Sequence, residues 1–249
     1  MPSQRPALPQ SAFDWLAGHR QDALLAVGAA SLTPARHLVG TGTLTLVDRA
    51  TSRLAAAAHR HPGLGVVAGA PDALPFASCS FDQVVVAELL HTLAPRLCLA
   101  EFARVLRTGG TLAVLQTVRD DSVPWVRRLA AILRQVDPTA MTSDESATAV
   151  ALADSRYFPT AEQRRFRLWM PAAKPELLAM VERLPGISGA EPSDRQGVLA
   201  AVGALYEASA RVPEPLLLPY SVVCWRAQVD HSQLTAPIEL PEDGLRISI

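Results

Sequence analysis

Residues 23–48 read ALLAVGAASLTPARHLVGTGTLTLVD, and the order of their parts decides the fold. An apolar run over 23–27 breaks at Gly28, and a second run over 44–48 closes on Asp48, 20 residues after that glycine. The first run, like several of those further along the chain, is apolar without polar alternation. Strands buried on both faces of a parallel sheet have that texture, whereas half-wet strands alternate. A strand, a glycine turn, a connection and a second strand ending on an acid make the opening of a doubly wound α/β unit.

Outward from this stretch the pattern repeats. Runs at 65–68, 82–87 and 111–118 read as three more strands, and 51–59 and 95–106 as helices, the second with Leu99, Phe102, Val105 and Leu106 on one stripe. Thr108, Gly109 and Gly110 stop that helix and turn the chain into the fifth strand. Upstream, Phe13, Trp15 and Leu16 mark a first helix. Beyond the fifth strand, Val126, Leu129, Leu133 and Val136 recur at helical spacing with Arg127, Arg128 and Arg134 off the stripe. The polar stretch 137–148 lacks the periodicity needed for burial and predicts a mobile loop capping the site. Phe166, Leu168 and Met170 alternate with Arg165, Arg167 and Trp169, a strand with one wet face, and 220–229 predicts another. These two supply an antiparallel edge. The expected organisation is one domain over 1–249, with a lid or insertion over 119–160 and an extended arm over 230–249.

The composition fits this reading. The chain has 249 residues, 49% of them hydrophobic and 19% charged, with a formal net charge of -1. A core between two helical layers is affordable at that length, and nothing approaches the ~20 apolar residues of a membrane span. The charge balance carries no basic excess for nucleic acid or an anionic membrane surface. Cys79, Cys98 and Cys224 are widely spaced and odd in number, which predicts buried free thiols and no metal site. With no basic-then-apolar leader at the start, cytoplasmic residence is the expectation.

The acid at the end of the second strand is the leading binding residue. A carboxylate there accepts two hydrogen bonds from a vicinal ribose diol while the first turn offers backbone N–H groups. The turn itself is less regular. In G-x-G-x-x-G a second glycine lets ligand and backbone touch, and here that place holds Ala30, whose Cβ is expected to project toward the ligand or to forbid a positive φ. If the loop has collapsed, Leu32 and its neighbours are the side chains nearest to filling the space between Gly28, Asp48 and Ala70.

Taken in order, several segments resemble the class I S-adenosylmethionine-dependent methyltransferases, in the type 11 domain group that includes trans-aconitate methyltransferase-like proteins. They are Leu24 through Ser31, Val47-Asp48, Gly69-Ala70-Pro71-Asp72-Ala73-Leu74-Pro75-Phe76, Phe81-Asp82-Gln83-Val84-Val85-Val86-Ala87-Glu88, His91, and Val105-Leu106-Arg107-Thr108-Gly109-Gly110. Arg119 through Trp125 and Leu218-Pro219-Tyr220 continue the match to Arg226. The resemblance implies a mostly parallel seven-stranded sheet with the cofactor across the ends of the first, second and fourth strands. It would set Gly28 and Ala29 against the methionine part, Asp48 and Arg49 at the ribose, Ala70 and Pro71 at the adenine, and Ala87 with Glu88 below the sulfonium. Methyl transfer to a small molecule, at oxygen, follows, with His91 placed to accept a proton from a hydroxyl. The chain departs from the pattern at Ala26, where relatives carry an acid that holds the methionine amino end, at Ala30, and in a short loop, Ser31-Leu32-Thr33-Pro34. These departures predict weak or absent cofactor binding.

Two further readings stay open. One is a catalytically silent relative that binds a protein partner through 124–136 and the tail. The other is a nicotinamide-dependent oxidoreductase, which shares the spacing from Gly28 to Asp48 but lacks the glycine fingerprint and a catalytic pair. His59 and His61 are separated by one residue and diverge on a helix, so they read as a surface helix end. Arg164, Arg165 and Arg167 read as the wet face of an edge strand, and Ser78 and Ser80 lack a G-x-S-x-G frame.

Overall fold

The computed structural model describes residues 8–17, 22–141, 145–210 and 215–234. Its strands are β1 (Ala23–Val27), β2 (Thr43–Asp48), β3 (Gly65–Ala68), β4 (Phe81–Ala87), β5 (Leu106–Arg119), β6 (Glu162–Ala172) and β7 (Leu216–Gln228). Helices α1 (Gln10–Leu16), α2 (Leu32–Leu38), α3 (Thr51–Arg60), α4 (Pro95–Val105), α5 (Pro124–Leu133), α6 (Ser146–Ala153), α7 (Lys174–Glu182), α8 (Pro185–Ser188) and α9 (Pro192–Ser209) alternate with them. The strands form one seven-stranded sheet in the order β3-β2-β1-β4-β5-β7-β6, mostly parallel with antiparallel edge strands. Chain direction reverses its progress across the sheet between β1 and β4, which makes that junction the topological switch point.

By packing, the described residues divide into two compact units: residues 22–114 with 148–162 and 226–234, and residues 8–17 with 115–141, 145–147, 163–210 and 215–225. In the first of these, β1 pairs in parallel with β2 on one side and β4 on the other, with Val27 opposite Val47 and Val86. All of β4 is buried, as are Leu24 through Val27. That explains why β1 and the Val84–Ala87 part of β4 carry no polar alternation. β3, at the sheet edge, is largely exposed although its sequence is as apolar as theirs. Asp82, buried at the start of β4, accepts hydrogen bonds from the Ala23 amide (3.0 Å) and from Arg107 Nη1 (2.9 Å), joining the near ends of β1, β4 and β5. α3 packs on β2 and β3 through Leu54 and Ala57.

The other unit is built on helices. Leu129 and Leu133 of α5, Leu177 and Val181 of α7, Ile187 of α8 and Val198 and Val202 of α9 form its core. Phe166 of β6 is buried there beside Trp15 of α1, the ring centroids 6.2 Å apart. Ala140 joins the helical core, so the expected capping loop at 137–148 is anchored rather than wholly solvated. α6 begins inside that stretch at Ser146, while 142–144 lie outside the described residues.

Other boundaries differ for physical reasons. α4 ends at Val105, and β5 starts directly at Leu106 with Gly109 and Gly110 inside it, so no separate turn intervenes. Gly109 takes φ +78, and a Cβ on Gly110 would meet the carbonyl oxygen of Arg107 at 2.8 Å, so both places need glycine within a strand. Cys79 is exposed, against the expectation that all three thiols are buried; it sits at φ +54 in the turn before β4. The expected arm from residue 230 starts as a 3-10 turn, His231–Gln233, and its continuation from 235 lies outside the described residues.

Candidate functional site

The C-terminal ends of β1, β2 and β4 meet at the switch point, all within one unit. After β1 the chain turns at Gly28, φ +78, and enters a 3-10 turn, Ala29–Ser31. A positive φ of this kind is open to glycine and rarely to residues with a Cβ. Ala30 lies within the 3-10 turn and not at a positive φ, so the forbidden-φ branch of the expectation does not arise and the alanine there imposes no backbone strain.

Asp48 holds this turn. It is 6% exposed; its Oδ2 accepts from the Ala29 amide at 2.9 Å and its Oδ1 from the Ala50 amide at 2.8 Å. Arg53 Nη1 stands 3.6 Å from Oδ2. The second of those amides belongs to the residue capping α3, so the carboxylate also lies at a helix N-terminus, where negative charge is stabilised. The Gly28 amide donates to the Val47 carbonyl at 2.8 Å, and the Gly69 amide to the Asp48 carbonyl at 3.2 Å. These bonds tie the ends of β1 and β2 to the turns that follow them.

Ser31 completes the stitching. Fully buried, its Oγ donates to the Val27 carbonyl at 2.5 Å and accepts from the Ala87 amide at 2.8 Å, which bridges β1 and β4 across the switch point. Sequence reasoning passed over Ser31 as the end of the turn; its neighbours across the sheet, not its spacing, reveal its role.

The remaining predicted residues divide into those drawn together and those set at the rim. Arg49 pairs with Asp72 at 2.6 Å, and the Arg49 hydrogen bond holds the half-buried Asp72 carboxyl below its ordinary range. This pair brings the turn carrying Ala70 and the buried Pro71 beside the end of β2. Ala87 is buried at the end of β4, and Glu88 follows it at φ +55, a left-handed conformation uncommon outside glycine. His91 is exposed on the 3-10 turn Leu90–Thr92. Leu32, the candidate side chain for the space between Gly28, Asp48 and Ala70 if the loop has collapsed, lines with Ala29, Arg53 and His61 a cleft of about 290 Å³ against α3. The side chain against Gly28 is Leu89's: a Cβ on the glycine would lie 2.9 Å from Leu89 Cδ2. Leu89 was not among the expected site residues, and its one signal in the sequence is a large apolar residue directly after the acid that follows β4.

Below the Ala70 turn, Glu101 binds Arg104 through two bonds, at 2.7 and 2.8 Å, and accepts from the Leu74 amide at 2.7 Å; Arg104 in turn donates to the Phe76 and Leu74 carbonyls. The Arg104 guanidinium holds the Glu101 carboxyl below its ordinary range. This cluster fixes residues 74–76 on α4.

Sheet order, switch point and a turn pinned by a strand-end carboxylate together define the Rossmann-like fold of the class I methyltransferases. Residues 25–114 match the model of a methyltransferase domain family. It is 33% identical over 136 residues to an uncharacterized methyltransferase of Mycobacterium tuberculosis, covering 54% of this chain and 56% of that protein. An uncharacterized methyltransferase of Schizosaccharomyces pombe is 29% identical over 137 residues, 53% of this chain and 55% of the relative. The chain thus spans about half the length of the curated relatives it matches. Among solved structures, one from Anaeromyxobacter dehalogenans assigned as a type II methyltransferase shares the fold with a TM-score of 0.64 at 17% identity, over 91% of this chain and 98% of that one. No helix among the described residues is long and apolar enough to cross a membrane.

Proposed function

We propose that the protein is a cytoplasmic S-adenosylmethionine-dependent methyltransferase that modifies a small molecule, at oxygen. The observation that carries this reading is the Asp48 carboxylate, buried at the end of β2 and fixed beside the Gly28 turn by the Ala29 and Ala50 amides. A carboxylate has about four lone-pair directions, so two backbone donors leave acceptor capacity for a ribose diol. Gly28 keeps its backbone at a positive φ and without a Cβ, the condition for a ligand to approach closely. The residues present thus fit the cofactor, with one obstacle, the Leu89 methyl group against Gly28.

In this reading Asp48 binds the ribose, the Arg49–Asp72 pair positions Ala70 and Pro71 at the adenine, and Ala87 with Glu88 forms the floor. Bound S-adenosylmethionine supplies a sulfonium methyl group for direct displacement, a reaction that depends chiefly on alignment. His91, at the exposed rim after β4, takes the proton of the substrate hydroxyl. Loss of the acid at position 26, now Ala26, removes a partner for the cofactor's amino group and weakens binding. The contact of Leu89 with Gly28 also favours a second reading, a silent relative that serves as a binding module for a protein partner.

A thermal-shift titration separates them, because a ligand that binds only the native state raises the melting temperature by mass action. Purified protein is expected to be stabilised by S-adenosylmethionine and by S-adenosylhomocysteine, and Asp48→Ala to lose that response. No shift with either ligand at millimolar concentration would sink the methyltransferase reading and leave the binding module.

A further inference from the structure

Position 89 is where this chain's own side chain contends for the cofactor's place. Gly28 leaves one backbone face open, and that face is what lets a ligand touch the turn. Here Leu89 Cδ2 covers it, 2.9 Å from where a Cβ would stand. The backbone leading to Leu89 is set against free adjustment. Glu88 takes φ +55, Leu89 itself lies at φ -131 and ψ -38, and the 3-10 turn Leu90–Thr92 follows with Leu90 fully packed. The surface beneath is equally fixed, by Ser31 bridging Val27 and Ala87 and by Asp48 holding Ala29.

With both backbones pinned, the movable part is the half-buried Leu89 side chain, whose contact with Gly28 is made by its terminal methyl. We propose that Leu89 sets cofactor affinity by plugging the Gly28 turn, so that the amino-acid end of the cofactor binds only when this side chain rotates away. The proposal rests on the methyltransferase reading above and adds to it the residue that limits occupancy. Where a binding-competent state is populated only part of the time, the apparent affinity falls by that fraction. The plug acts locally: adenosine, which lacks the amino-acid arm, meets Asp48 and the Ala70 turn without reaching Gly28.

Calorimetric titration of S-adenosylhomocysteine and of adenosine into the wild type, Leu89→Ala and Leu89→Met tests this. Leu89→Ala is expected to tighten S-adenosylhomocysteine by about threefold to tenfold by removing the closed state, to leave adenosine within about twofold of the wild type, and to keep a cooperative melt. Leu89→Met, of similar volume, keeps the wild-type affinity. Should Leu89→Ala fail to fold, Leu89→Val, shorter by one methylene, carries the same comparison at smaller amplitude. Equal or weaker S-adenosylhomocysteine binding by folded Leu89→Ala overturns the plug while leaving the methyltransferase reading intact. A parallel gain for adenosine overturns it too, since it would mark a general loosening. Absence of binding by all variants overturns both.

Discussion

Replacing Asp48 is the most demanding test of how the site is built. Its carboxylate is 6% exposed and accepts two backbone hydrogen bonds, from Ala29 at 2.9 Å and Ala50 at 2.8 Å. Each bond to a charged acceptor contributes about 1.5–3 kcal/mol. Asp48→Ala removes both, but Ala29 and Ala50 are only partly buried, so water recovers some of the loss. A destabilisation of about 2–4 kcal/mol follows. Asp48→Asn keeps one acceptor oxygen and turns an NH2 toward the other donor, which gives about 1.5–3 kcal/mol. For a chain of this length each kcal/mol lowers the melting temperature by about 2–4 °C. The alanine variant is therefore expected to melt about 4–16 °C below the wild type and the asparagine variant somewhat less. Differential scanning calorimetry gives both values. If Asp48→Asn melts within a degree of the wild type, the carboxylate does not hold the Gly28 turn, and the site argument loses its foundation.

Other substitutions probe single contacts. Gly28→Ala must place a Cβ at φ +78 and 2.9 Å from Leu89, so a loss of about 1–3 kcal/mol is expected; adding Leu89→Ala recovers only the contact part, and a double-mutant cycle by urea denaturation measures it. Gly110→Ala sets a Cβ 2.8 Å from a backbone oxygen that cannot withdraw, and urea midpoints should report about 1–3 kcal/mol of destabilisation. Glu101, whose folded carboxyl lies below its ordinary range through Arg104, stabilises the fold above the unfolded-state value and loses that contribution as pH falls through the lowered folded value. Glu101→Gln is therefore less stable than the wild type at pH 7, and the gap closes as the solution is taken toward pH 3, read from urea midpoints across about pH 7 to 3. Cys98 and Cys224 are buried with thiols pushed up to about 11 and about 12, while Cys79 is exposed. Ellman's reagent is expected to titrate one thiol quickly in the native protein and the others only on unfolding.

Much of the fold was legible because burial on both faces leaves a mark in composition. β1 and β3 follow their sequence boundaries, and β2 and β4 begin one residue earlier than their apolar runs. The helices after β6 left a weaker mark. α9 reads PSDRQGVLAAVGALYEAS, and its small residues blur the apolar stripe, so Val198 and Val202 are buried without a clear helical period. α2 was lost for a related reason: a seven-residue helix that follows the glycine turn has too few positions to show one. β5 was misjudged at its start because glycine is read as a stop signal. At Gly110 the cause is the opposite: the neighbouring backbone comes too close for any Cβ, and the strand continues through it.

The site was legible where one residue suffices and illegible where its function depends on a neighbour. Asp48 announces itself by type and spacing, and the structure adds that it grips the Gly28 turn. At Ala30 the backbone half of the glycine pattern does not apply. Its penalty assumes a positive φ, and the 3-10 turn supplies none, so the departure from the motif costs the backbone nothing there. The proposed obstacle lies instead at Leu89, 61 residues beyond Gly28, which no pattern within the turn could reveal. A damaged-looking loop and an obstructed one make different demands. If Ala30 were the defect, restoring glycine would restore affinity; since Leu89 covers Gly28, Ala30→Gly is expected to leave S-adenosylhomocysteine affinity within about twofold of wild type. A gain larger than Leu89→Ala produces would return the fault to the loop.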